Sequence, residues 1–138
     1  MIFEVWTGDV SATDLEIYWS TYLENPQVLS IRRTLVDLRG ANILFHGDVF
    51  ADLIVKIVQP VLAGRDWKTA IVVERPVQFG VSRQYQVFAE TFSRDAIFHD
   101  YDEALEWLTQ RNFEAGSRCM SRSTNRWCRL PVVINHME

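Results

Sequence analysis

The side chains best suited to chemistry are Arg39, His46 and a cluster comprising Glu74, Arg75, Gln78, Gly80, Ser82 and Arg83. Two closely spaced arginines, a hydroxyl, an amide and a glycine that lets backbone come near suit an anionic headgroup or carboxylate. A helix starting near Phe79 would add free amides and a partial positive charge to such a site. The competing use of the same arginines is ion pairing with Glu74 and other surface acids, which is common. His46 and His99 lie close in sequence to Asp48 and Asp100, a pairing that general acid–base catalysis could use. No G-x-S-x-G, phosphate loop, paired-carboxylate spacing or metal-helix motif accompanies them, so neither a catalytic residue nor a cofactor is assigned. Cys119, Cys128 and His136 do not have the spacing of a zinc finger or ribbon, and no metal is expected there.

These residues need a scaffold, and the pattern supplies one. Ala70-Ile71-Val72-Val73 is an uninterrupted apolar run, the signature of a buried parallel strand, and Glu74-Arg75-Pro76 ends it. Beyond Phe79-Gly80, Val81, Tyr85, Phe88 and Phe92 recur at helical spacing, which predicts a helix with those residues inward. Ile2–Val5 predicts a first strand, with Gly8-Asp9 a bend or bulge after it. Thr13 and Glu16 form a capping box for a helix that buries Leu15, Tyr18, Trp19, Tyr22 and Leu23 and stops at Asn25-Pro26. Residues 34–38 predict a second strand ended by Arg39-Gly40. Asp48 then offers an N-cap for a helix carrying Phe50, Leu53, Ile54, Ile57, Val58 and Val61 and closed by Ala63-Gly64. Residues 95–98 form a last strand, and Asp100 caps a last helix with Ala104, Leu105 and Leu108 inside. The order β-α-β-α-β-α-β-α is an α/β fold: a mostly parallel sheet with helices packed around it. The carboxyl ends of such strands usually hold the ligand, which places the cleft around Glu74–Arg83. The aromatic residues Trp19, Tyr22, Phe50, Tyr85, Phe88, Phe92 and Trp107 could line a lipid-binding pocket, but at this spacing they read as core.

Three segments together resemble the SpoIIAA-like branch of the STAS domains, also described as STAS/SEC14-like. They are residues 35–40 (LVDLRG), 79–85 (FGVSRQY) and 98–108 (FHDYDEALEWL), with the Thr7–Leu15 junction fitting as well. The resemblance covers residues 2–110 and implies a mixed, mostly parallel sheet, a bacterial protein, and a regulatory role through a protein partner or a small ligand. It also implies a strand before Ile2, without which the first strand lacks a hairpin partner. The regulatory members carry Asp-Ser-Ser-Gly, with a phosphorylated serine, at the start of the second helix. Here that junction reads Phe45-His46-Gly47-Asp48, so a phosphoserine switch is not expected.

At 138 residues the chain is one domain able to bury a real core. Its formal net charge of −4 is uneven: residues 1–115 are acidic, whereas residues 116–138 carry four arginines against Glu138 alone. Residues 1–112 are therefore read as the domain, and residues 113–138 as a basic, partly irregular tail that is either disordered or folded back, with 127–134 apolar enough to pack. The tail arginines with Trp127 could touch nucleic acid, but the acidic body argues against it. Two cysteines and no basic, apolar leader fit a cytoplasmic protein with free thiols, and no run is long enough to span a bilayer. The expected function is non-enzymatic: binding of a partner protein or of a small anionic or lipid-like ligand, with a homodimer compatible. The alternative is a lipid-like carrier or small enzyme using the Glu74–Arg83 cleft.

Overall fold

A computed structural model describes residues 1–110 and the backbone of residues 131–136. The strands are β1 (Ile2–Val10), β2 (Arg33–Ile43), β3 (Trp67–Val72), β4 (Ser93–Phe98) and β5 (Pro131–His136). Between them lie α1 (Ala12–Tyr22), α2 (Pro26–Ile31), α3 (Gly47–Leu53), a π turn (Ile54–Val58), α4 (Gln59–Leu62), α5 (Pro76–Phe88) and α6 (Tyr101–Thr109). The sheet order is β4-β3-β2-β1-β5, and every neighbouring pair is parallel. The expected α/β class, a parallel sheet with helices around it, is the one observed. β2 and β3 pair in its interior, with Ile71 and Val72 both buried.

Topology decides which helix covers which face. From β1 to β4 the chain steps in one direction, so right-handed crossovers place α1, α3–α4 and α5 on the same side. The return from β4 to β5 runs back across the sheet and puts α6 on the other. The larger core accordingly joins Ile2, Trp6, Val36, Leu38 and Ile71 to Leu15, Trp19, Phe50, Ile54 and Leu62. The smaller core joins Leu35, Ala70 and Val72 to Ala104 and Leu108 of α6. Lys68, on the α6 side, donates from Nζ to the Trp107 carbonyl at 3.0 Å and lies 4.3 Å from the Trp107 ring centroid. A cation at the last turn of a helix favours its dipole, and burial pushes this amine's pKa down.

Several element ends differ from the expectation. The N-cap of α1 is Ser11, whose hydroxyl accepts from the Asp14 amide while Asp14 binds back to the Ser11 amide, so the capping box lies two residues earlier than Thr13. Such a cap contributes about 1 kcal/mol. Asn25-Pro26 does not merely stop α1; Asn25 caps the short α2, with proline in its first turn. β2 continues past Gly40 to Ile43, because β1 also extends and offers Thr7 to Val10 as partners. The irregularity in β1 falls between Val5 and Thr7, with Gly8 at positive φ. α3 starts at Gly47 with His46 as an N-cap lacking a side-chain bond, so Asp48 sits in the first turn instead of capping it. A Cβ on Gly47 would run into the Gln84 side chain, which is how closely α3 starts against α5. The helix that follows is not continuous. Pro60 has no amide to give and its ring would crowd the Lys56 carbonyl, and the chain widens into the π turn just before it.

Residues 95–98 do not form the last strand. β5 pairs along β1 from Phe3 to Gly8, occupying the flank left without a hairpin partner, and it does so in parallel. Cys119 and Cys128 lie outside the described residues. Among the described residues, no helix is long and apolar enough to cross a membrane.

Candidate functional site

Of the expected cleft residues, Arg39, Arg75 and Gln78 are joined at the carboxyl ends of β2 and β3, where they hold the backbone. Helix α5 begins at Pro76, not after Gly80. Its inward positions are Gln78, Ser82 and Ala89, with Val81 and Tyr85 half-buried, whereas Phe88 is exposed. Gln78 is fully buried: its Oε1 accepts from the Glu74 and Arg75 amides at 2.8 and 3.0 Å. Its Nε2 donates to the Arg39 and Ala41 carbonyls at 3.2 and 3.0 Å. Arg75 donates to the same Ala41 carbonyl at 2.8 Å, and Ser82 Oγ to the Gln78 carbonyl. Arg39 is engaged by Asp37 through two hydrogen bonds and lies over the Tyr101 ring; the Asp37 bonds hold its pKa up. Glu74 and His46 are exposed, and nothing lies within 4 Å of where a Gly80 side chain would stand. His99 stacks on Phe79. Among the described residues, no group of three or more His, Cys, Asp or Glu could hold a metal ion.

Arg83 is exposed and bonds to Gln86 on its own helix. Arg83→Ala is expected to leave the midpoint of thermal unfolding unchanged, since one exposed contact contributes little. A loss above about 1 kcal/mol would place the arginine in a structural network.

A second constellation lies beneath the helices. A cavity of about 70 Å³ separates the sheet from α1, α3 and α5, bounded by Glu4, Trp6, Thr34 and Thr69 below and Trp19, Tyr22, Phe50, Ser82 and Tyr85 above. This is room for several waters or a small organic group. The rings are mutually packed: Trp19 lies 6.0 Å from Phe50 and 6.4 Å from Tyr85, centroid to centroid. Val58 of the π turn also lines it. Strand alternation explains the floor, because Glu4, Thr34 and Thr69 take the helix-facing phase of their strands.

Glu4 is 5% exposed. Its Oε1 accepts from Trp6 Nε1 at 3.1 Å. Desolvation pushes its pKa up to about 7, against the opposing pull of Trp6, Tyr22 and Tyr18. The phenols are near enough to bias the carboxylate, yet the hydroxyls of Tyr18, Tyr22 and Thr34 are buried without a hydrogen bond. Burial, then the Glu4 charge, drives both tyrosine pKa values upward. Orphaned buried hydroxyls are costly, and several at one cavity mark a place for water or a polar ligand. Thr34, Thr69 and Asp95 stand in register across β2, β3 and β4, continuing the polar row. Asp95 accepts from Ser93 Oγ at 2.7 Å, its other oxygen is buried without a partner, and desolvation pushes its pKa up to about 7.

Of the expected binding residues only Ser82 lines this cavity; of the aromatic residues read as core, Trp19, Tyr22, Phe50 and Tyr85 do, while Trp107 packs on the opposite face. Glu4 was legible in one way: it interrupts the apolar run Ile2-Phe3-Glu4-Val5 at a phase shared with Ile2 and Trp6.

The chain is similar to the crystal structure of an uncharacterized DUF3478-family protein with a SpoIIAA-like fold from Shewanella loihica PV-4, with 22% identity and a TM-score of 0.49. The match covers 74% of this chain and 78% of that one. No family model and no curated protein matches the sequence.

Proposed function

We propose that this chain is a non-enzymatic binding domain that holds a small ligand in the cavity between the sheet and its helices. The observation that carries the reading is the coincidence of empty space, aromatic walls, a buried carboxyl and unpartnered hydroxyls in one place. Well-packed interiors do not leave such a combination without cost. The lining includes no histidine, cysteine or lysine among the described residues, which supports binding over catalysis. Native mass spectrometry of gently purified protein is expected to show a small-molecule adduct. Val81→Phe, which places a ring at the cavity wall, should abolish it at a cost of about 1–3 kcal/mol of stability. An adduct that survives Val81→Phe would locate the ligand elsewhere.

Engagement of a protein partner is a second reading, favoured by the exposed side chains of Leu44, Val49, Val77 and Phe79 near the carboxyl ends of the strands. A pull-down with Phe79→Ser would lose the partner if that surface is used.

A further inference from the structure

We propose that the ligand is a small organic cation, an alkylated ammonium group held against the Glu4 carboxylate within the aromatic walls; this rests on the reading of the cavity as a ligand site. Glu4 is the one charged side chain among the described residues lining the cavity. Among the described residues it has no lysine, arginine or histidine partner, and the groups that reach its carboxyl are Trp6 Nε1, at 3.1 Å, and the phenols of Tyr22 and Tyr18. Buried carboxylates are ordinarily paired, and a carboxyl with no counter-charge among the described residues suits a cation that arrives from outside. The walls suit that arrival: Trp6, Trp19, Trp67, Tyr22, Phe50 and Tyr85 present aromatic faces and edges, the surroundings that recognise alkylated ammonium groups. The unpartnered oxygens of Tyr22 and Thr34 can accept from any N–H the cation retains.

The alternatives fit less well. An anion would meet the Glu4 charge in a medium where repulsion is strong. A neutral apolar guest would leave the carboxylate as poorly satisfied as before. The groups that face Glu4 from the surrounding elements are Trp6 on β1, Tyr18 and Tyr22 on α1, Thr34 on β2 and, further off, Tyr85 on α5; Asp95 on β4 adds a second acid beyond Tyr85. All of these described groups are neutral or acidic. The raised pKa of Glu4 agrees with an absent counter-charge, and a bound cation would bring it down.

The test uses the full chain at constant ionic strength, with choline and tetramethylammonium as cationic probes and 3,3-dimethylbutan-1-ol as the uncharged isostere of choline. Binding is read by calorimetry and tryptophan fluorescence. Choline is expected to bind at least about tenfold more tightly than the alcohol, with affinity rising between about pH 6 and about pH 8 as Glu4 ionises. Glu4→Gln, verified as folded, should erase the preference, and Val81→Phe should erase binding of both. Equal binding of choline and the alcohol, or a preference that survives Glu4→Gln, overturns the cation proposal while the cavity remains a ligand site. Binding of none of the three probes overturns the cation proposal, and the absence of a native adduct as well removes the ligand-site reading. Choline binding that persists in Val81→Phe puts the cation outside the cavity and also overturns it.

Discussion

Replacing Glu4 by glutamine is expected to stabilise the ligand-free protein by about 3 kcal/mol at pH 8 and to change little below pH 4.5. The figure follows from a pKa displaced from 4.5 to about 7, at roughly 1.4 kcal/mol per unit. A carboxyl whose folded-state pKa lies above its unfolded value binds more protons when folded. Its contribution is therefore fully present below the unfolded value of 4.5 and is lost as pH rises through about 7. Glutamine has the shape of the protonated acid, keeps an oxygen for Trp6 Nε1, and brings an amide that can donate to the orphaned hydroxyls of Tyr22, Tyr18 or Thr34. Urea unfolding at a series of pH values measures this. Asp95 has a folded-state pKa displaced in the same direction, so the variant should retain a decline in stability between about pH 4 and pH 7, reduced but not abolished. A Glu4→Gln protein no more stable than the wild type at pH 8 would mean that the carboxylate is hydrated in its cavity.

The opposite outcome is expected at Gln78. Gln78→Leu should cost about 3–5 kcal/mol, measured by the same unfolding experiment, because the apolar side chain strands several backbone groups at once. The amides of Glu74 and Arg75 lose their acceptor, and the Arg39 carbonyl loses its donor. The Ala41 carbonyl keeps Arg75 and is spared. Glutamine at this place joins the start of α5 to the far end of β2, so its loss should also loosen the carboxyl-end surface where Arg39, Arg75 and Phe79 meet. A cost below about 1 kcal/mol would show that water replaces the amide freely.

These two residues also show where the sequence could be read and where it could not. The apolar runs and 3.6-residue periods of α1, β3 and α6 carry the topology, since burial on both sheet faces demands them. The same logic misassigned α5, whose inward stripe is partly polar: Gln78 and Ser82 face the core because the backbone there needs bonds, while apolar Phe88 faces out. Arg39, Arg75 and Gln78 come together at the carboxyl end of β2, but whether an arginine is free or already paired depends on how a neighbouring carboxylate or a carbonyl distant in sequence is placed. Asp37 and the Ala41 carbonyl settle that for Arg39 and Arg75. Glu4 went unrecognised because its phase, shared with Ile2 and Trp6, was outweighed by the expectation that an acid in a strand faces water. Its meaning comes from the register that sets it beside α1 and α5. The parallel docking of β5 likewise depends on tertiary neighbours.

The most direct test of the account is the titration of the Glu4 side-chain carboxyl, followed by its carbon resonance in the full chain with and without tetramethylammonium. The structure predicts a midpoint near 7 in the free protein, because burial withholds water from the carboxyl. It predicts a clear downward displacement when the cationic probe is added. A midpoint near 4.5 that the probe leaves in place would contradict the account, since the carboxyl would then be wet, and the cavity would lack the group on which recognition depends.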